Sequence, residues 1–394
     1  MKDVVIISSA RTATGAFGKT LAGVETQQLG AVVLKEALKR SGIPAEDYDE
    51  IIMGSQYQSG LKSNAARQSA LYAGFPKEIN AFTPMVNCGT GLKTIALASQ
   101  SIRAGDNQIV AAGGMENMSR APYLLPGGRY GHRLGEGKLL DSILEDGLID
   151  FSTGQHMGVT AENLAEMYNI SRQRQDEFAL RSQELAQAAW EAGKFNADIA
   201  PVEIPQRKGD PIIFDHDETY RKGVTIQDLA KLRPAFKEGG TVTAGNASTI
   251  NDGAAAVVVT TREKADEYGV KPLVRIVGTA MAGYEPHLMG FTPVFAVRKL
   301  IKLTNVKLED IGLIELNEAF AAQAISCIDE LKLDMNKVNV NGGAIALGHP
   351  TGCTGARLVV TIISEMRRRG ERYGMVTLCI GGGLGIATLF ELCE

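Results

Sequence analysis

The chain has 394 residues, too many for one small core, and its 44% hydrophobic and 22% charged content is that of a globular protein of two or three domains. A net charge of −4, with no stretch dominated by Lys and Arg, excludes a nucleic-acid footprint and leaves any anionic ligand to local basic residues. No run of about 18 apolar residues exists, so no membrane span is expected.

The first residues, MKDVVIISSARTATG, read as a strand start without the long apolar core of a signal peptide. VVIISSA (4–10) predicts a buried strand. TQQLGAVVLKEALKRSG (26–42) predicts a helix, capped by Thr26 and stopped by Gly42. EIIMGS (50–55) predicts a second strand, CGTGLKTIALASQSIRAG (88–105) a second helix, and QIVAAGG (108–114) a third strand. Strand–helix–strand order implies a parallel sheet with helices on its faces.

The last third repeats the first. AVVLKEALKRSGIPAEDYDEIIMGS (31–55) lies over VFAVRKLIKLTNVKLEDIGLIELNE (294–318) without a gap, and TGLK (90–93) lies over TGAR (354–357) at almost the same offset. QIVAAGG then corresponds to GMVTLCIGGG (374–383). Two similar α/β halves facing each other are expected. Between them, from about 120 to 250, the pattern loosens. RYGHRLGEGK, PQRKGDPII and HDETYRKG are loop-like, while TAENLAEMYNISRQRQDEFALRSQELAQAAWEAG is helical, with Phe178, Leu185, Ala189 and Trp190 on its buried side. This segment reads as an insertion able to cover a site between the halves.

Several motifs fail. GTGLKT is a poor phosphate loop, because Leu92 stands where a glycine precedes the lysine. GGGLG (381–385) has no βαβ unit after it, and neither G-x-S-x-G nor HExxH is present. The five cysteines (Cys88, Cys327, Cys353, Cys379, Cys393) are scattered without a CxxC pair. Neither a disulfide framework nor a metal site is expected, and reduced thiols in a cytoplasmic protein are.

The unusual residues fall at equivalent turns. Cys88 heads a helix in the first half. GHPTGCTG (348–355), with His349, heads the matching helix in the second. NEAFAA (317–322) follows a strand and CIGGG (379–383) ends one. Facing halves bring such turns into one crevice. There a helix N-terminus lowers a thiol's pKa, a histidine takes its proton, and glycine-flanked N–H groups aim at a developing oxyanion. A second cysteine, Cys379, could serve as a base toward a carbon acid. Against this stand plainer readings: a lone cysteine is most often core, and a lone histidine is most often only hydrogen-bonded. Cys327 and Cys393 carry no motif, and His132, His216 and His287 sit in polar loops.

VVIISSARTATGAFG, AAGGMENMSRAP, HMGVTAEN, LRPAF, TVTAGNAS, NEAFAAQ, NVNGGAIALGHP and LCIGGG, in that order, resemble the thiolase family, and the likeness to its short-chain acetyl-CoA acetyltransferases covers essentially the whole chain. The resemblance implies an α/β fold of duplicated βαβαβαββ halves in a layered α-β-α-β-α core. Residues 1–120, completed by about 250–272, would form the N-terminal half, 121–249 an inserted loop domain over coenzyme A, and 273–394 the C-terminal half. It also implies ping-pong condensation of two acetyl-CoA to acetoacetyl-CoA, and the reverse thiolysis. Cys88 would be the acylated nucleophile, His349 its base and Cys379 the base on the second substrate. Asn317, through a held water, and His349 would bind the enolate oxygen. The N–H groups of Cys88 and Gly381 would form a second oxyanion hole. Ser248 and His156 would contact pantetheine and Arg221 the nucleotide end, with Arg207, Lys208 and Lys222 as further phosphate candidates. Met157, Met289, Phe236, Ala319 and Phe320 would shape a small acyl pocket. Coenzyme A enters as substrate rather than as a permanently bound cofactor, and the resemblance suggests a homotetramer built from dimers.

The chain departs from the family pattern at Met85, Thr90, Thr249, Thr292, Thr351 and Cys353, all expected in or near the crevice, with Cys353 a candidate extra reactive thiol. Two other functions stand beside the first: a degradative 3-ketoacyl-CoA thiolase for longer chains, and a non-catalytic acyl-CoA-binding homologue.

Overall fold

A computed structural model describes residues 2–393. The first half opens with strand β1 (Val4–Arg11), helix α1 (Thr26–Ser41) and strand β2 (Glu50–Gly54). A helix at Ala65–Ala73 and a short strand at Asn80–Phe82 follow. Helix α2 (Thr90–Ala104) and strand β3 (Ile109–Asn117) come next. The intervening segment carries α3 (Met157–Met167) and α4 (Arg172–Glu191), and strand β4 (Asn251–Thr261) then returns to the sheet. The second half runs β5 (Val274–Gly283), α5 (Thr292–Thr304), β6 (Leu313–Leu316), α6 (Ala321–Leu331), α7 (Thr351–Arg369), β7 (Tyr373–Ile380) and β8 (Leu384–Leu392).

Pairing follows the repeat. The sheet order is β6-β7-β8-β5-β1-β4-β3-β2, so the two halves are mirror images in strand order. β2 with β3 and β6 with β7 are parallel, the short strand Asn80–Phe82 adds a second parallel pair at the edge beyond β2, and the return strands are antiparallel. The halves join through β1 and β5 at only two residue pairs, Val5 with Arg275 and Ile6 with Val274. Helix α1 covers the outer face of the first half and α5 that of the second, while α2 and α7 pack on each other between them. The result is five layers, α-β-α-β-α.

Alternating side chains explain the layering. Val5 and Ile7 of β1 face the outer core with Leu29 and Val33 of α1, whereas Val4 and Ile6 face the central core with Leu92, Ile95, Leu358 and Val359. Both faces are apolar, as a strand covered on two sides requires.

Three local expectations change. Thr26 is the first residue of α1, buried and making no cap, with Glu25 in the flanking position, because the chain turns one residue earlier. Cys88 lies before its helix rather than in it. Helix α2 starts at Thr90, after a turn in which Asn87 has φ +40° and Gly89 is the cap. Gly42 ends α1 in the left-handed conformation. The helical stretch of the insertion is two helices broken at Asn169, which has positive φ, and Leu185 is only half-buried.

Candidate active site

Four turns converge because two helices cross at glycines. A Cβ on Gly91 would lie 2.7 Å from the Ala356 nitrogen, and one on Gly355 would lie 2.3 Å from the Leu92 nitrogen. The repeated Thr-Gly of TGLK and TGAR thus lets α2 and α7 touch backbone to backbone near their N-termini. Gly89 in turn sits against Ile380, at the end of β7. This places the turn holding Cys88 beside the turn that follows Cys379.

The two turns are bonded directly. Asn87 Nδ2 donates to the Gly381 carbonyl at 3.2 Å. Burial pushes the Cys88 thiol up to about 11, and the nearby N–H groups of Gly381 and Cys88, which favour the thiolate, only partly offset it. The direction is opposite to the sequence expectation of a lowered thiol pKa: desolvation dominates, although the side chain keeps partial exposure. Cys379 is 1% exposed, and burial first, then the charge of Cys88, holds its thiol well above the usual range.

His349 precedes α7 and is buried. Its N–H donates to Asn251 Oδ1 at 2.8 Å, its Nδ1 is 2.7 Å from Thr354 Oγ1, and its Nε2 is 3.4 Å from Asn317 Nδ2. Burial, then the Arg357 charge, lowers its pKa to about 3. Asn317, which follows β6, is fully buried, and its Oδ1 has no protein partner among the described residues.

Cys379 closes a compact apolar cluster with Met157, Met289, Ala319, Phe320 and Phe236. His156 caps α3, accepting from the Gly158 N–H at 3.0 Å, and stacks on Phe236 with centroids 4.6 Å apart. The Ser248 N–H donates to the Ala319 carbonyl at 2.9 Å. A cleft of about 520 Å³ runs over these groups, and His156, Arg221, Phe236, Ser248, Phe320 and His349 all line it. Cys88 and Cys379 are not on its lining, nor are Arg207, Lys208 and Lys222, which are exposed.

The family departures separate. Thr249 and Thr351 line the cleft, and their hydroxyls donate to Asn251 (2.8 Å) and Glu116 (3.1 Å). Thr90 accepts from the Val86 N–H and donates to the Asn87 carbonyl, bracing the cysteine turn. Thr292 donates to the Met289 and Leu384 carbonyls and ties α5 to β8. Met85 points to solvent, half exposed, and is not on the cleft lining. Cys353 is buried in the central core with its thiol pushed up to about 12, which removes it as an accessible thiol.

Sequence reasoning missed four supports: Asn87, Glu116, Asn251 and Thr354. Glu116 is buried at the end of β3 and accepts from Ser55 Oγ, Thr351 Oγ1 and the N–H groups of Gln56, Tyr57 and Gly352. It thereby fastens the N-terminus of α7 to the first half. A charged residue inside the apolar run QIVAAGGME was the available signal.

Residues 4–263 match the family model described as the thiolase N-terminal domain, and residues 270–392 match the thiolase C-terminal domain. The chain is 52% identical over 394 residues to an acetyl-CoA acetyltransferase of Syntrophomonas wolfei, covering 99% of both chains. It is 51% identical to one from Cupriavidus necator, covering 99% of this chain and 100% of that one. The crystal structure of the Bacillus anthracis acetyl-CoA acetyltransferase superposes with a TM-score of 0.98 at 45% identity, covering 100% of this chain and 99% of that one. With both family models matched in order and the fold shared from end to end, the chain belongs to the thiolase family.

Proposed function

We propose that the protein is an acetyl-CoA C-acetyltransferase that condenses two acetyl-CoA to acetoacetyl-CoA and free coenzyme A, and runs the reverse thiolysis. The observation that carries this reading is the assembly of the Cys88, Cys379 and His349 turns at one helix crossing, beside a closed apolar cluster.

In the first half-reaction the Cys88 sulfur attacks the acetyl carbonyl while its proton passes to His349 Nε2. The carbonyl oxygen meets the N–H groups of Cys88 and Gly381. Coenzyme A leaves as the thiol, taking its proton from Cys379, while His349 keeps the Cys88 proton on Nε2. In the second, the Cys379 thiolate removes a proton from the methyl carbon of a second acetyl-CoA. A thiolate in a dry pocket is a stronger base than one in water, which narrows the gap to that weak carbon acid. The enolate oxygen is met by His349 and by a water on Asn317. The carbon then attacks acetyl-Cys88, and Cys88 departs as the thiol, taking its proton back from His349 Nε2.

Met157, Met289, Phe236, Ala319 and Phe320 close the acyl end and favour a short chain over the longer 3-ketoacyl substrates of a degradative thiolase. Ser248 and His156 hold the pantetheine arm, and Arg221 at the cleft's rim faces the nucleotide. Coenzyme A passes through as substrate and no cofactor stays bound. None of the helices among the described residues is long and apolar enough to cross a membrane. A cytoplasmic homotetramer is part of the same reading, supported by the exposed apolar side chains Tyr130, Leu134, Leu139 and Phe151 on the inserted segment.

Labelled acetyl-CoA followed by peptide mass spectrometry tests the reading. An acetyl group is expected on Cys88 and absent from Cys88→Ser. Cys379→Ala is expected to keep the acetyl-enzyme and lose at least ~100-fold in condensation. An enzyme that never takes label, yet binds acetyl-CoA, would instead be an acyl-CoA-binding homologue.

A further inference from the structure

Each ring nitrogen of His349 faces one side chain, and proton counting assigns both. An amide nitrogen can only donate. Asn317 Nδ2 lies 3.4 Å from Nε2, so Nε2 meets it with a lone pair and the ring proton sits on Nδ1. Thr354 Oγ1, 2.7 Å from Nδ1, then accepts that proton. Its own proton goes to the Pro350 carbonyl at 2.9 Å, the bond back to residue i−4 that helical threonines make. With the Asn317 amide in this orientation the ring and hydroxyl protons have one acceptor each, whereas the other tautomer would set two donors against each other at Nε2.

The 3.4 Å contact is long and the 2.7 Å contact is short, so the tautomer is governed at the Thr354 end. Thr354 is also firmly placed. It is fully buried in the first turn of α7, and the next residue is Gly355 at the helix crossing. We infer that Thr354 is a positioning residue: its hydroxyl, oriented by the Pro350 carbonyl, fixes His349 as the Nδ1–H tautomer and keeps Nε2 as the lone pair offered to the Cys88 thiol. The inference rests on the role given to His349 above. The Nδ1–H···O bond strengthens when the ring takes up the thiol proton, because the donor then belongs to a cation.

Nitrogen-15 NMR of the full-length protein labelled at histidine reads the tautomer without reference to activity. His349 is identified among the five histidines by its loss in His349→Asn. The wild type and Thr354→Ser are expected to show a protonated Nδ1 and an unprotonated Nε2. Thr354→Val, of equal volume but without the hydroxyl, is expected to show a mixture, with kcat down ~10- to 100-fold and KM within about 2-fold. The inference is overturned if the wild type carries its proton on Nε2, if Thr354→Val keeps the pure Nδ1–H form, or if Thr354→Ser fails to restore kcat. Should Thr354→Val not fold, the wild-type and serine spectra still decide. A wild type with the expected tautomer but no acetyl transfer would sink the functional reading and leave this one standing.

Discussion

At the scale of single residues, the reactive pair is uncharged before substrate arrives. Burial raises Cys88 to about 11 and lowers His349 to about 3. Neutral thiol and neutral imidazole are therefore the dominant forms between those limits, and the proton moves only as the thioester is attacked. An exposed histidine would protonate near ~6.5 and lose its function as a base below that. The rate of Cys88 acetylation in single-turnover experiments is thus expected to stay level from about pH 5 to about pH 8, with no inflection near 6.5. A fall in rate centred near 6.5 would mean that His349 is solvated. The same shift has a sign for stability. Below about 6.5 the unfolded chain takes a proton that folded His349 refuses, so this group destabilises the fold as the pH falls toward 3. The sequence could place a cysteine beside a helix start, and it could not weigh burial against the helix terminus. That weighing needs the depth of the turn, which is set by residues nearly 300 positions away, such as Gly381.

At the scale of elements, the internal repeat was legible as a constant offset between apolar patterns, and each matched segment became an equivalent helix or strand. Strand β4, buried along its whole length, and strand β8, buried from Gly385 to Phe390, carry no such mark in the sequence, since a strand covered on both faces has no alternation to read. The Thr-Gly repeat was visible, but its purpose was not. It marks where α2 and α7 meet without side chains between them. A methyl group on Gly91 would press on the Ala356 nitrogen and the Cys353 carbonyl, both backbone atoms that cannot rotate away. Gly91→Ala is expected to destabilise by about 1–3 kcal/mol and to lower Tm by several degrees. It should also reduce activity, because the two turns above the crossing move apart. Gly23 has open space around its Cα and serves as the control. Thermal scans and steady-state rates of Gly91→Ala and Gly23→Ala check this, and equal behaviour of the two would remove the crossing from the account.

At the scale of the whole molecule, the two halves share little sheet and much core. Their strands meet at two residue pairs, yet Leu92 and Ile95 of the first half bury against Leu358 and Val359 of the second. Neither half could expose its face of this layer to water without losing several fully buried side chains, each contributing about 1.5–3 kcal/mol. The halves should therefore unfold together, even though a 394-residue chain of two matched family models invites two separate transitions. Ile95→Ala tests this, because it opens a cavity in the shared layer at a cost of about 2–5 kcal/mol. The expected outcome is one transition, moved down as a unit and seen at the same temperature by far-UV circular dichroism and by loss of activity. If the variant instead melts in two steps, with one half surviving the other, the central helices do not couple the lobes and the shared site must be held by the sheet alone.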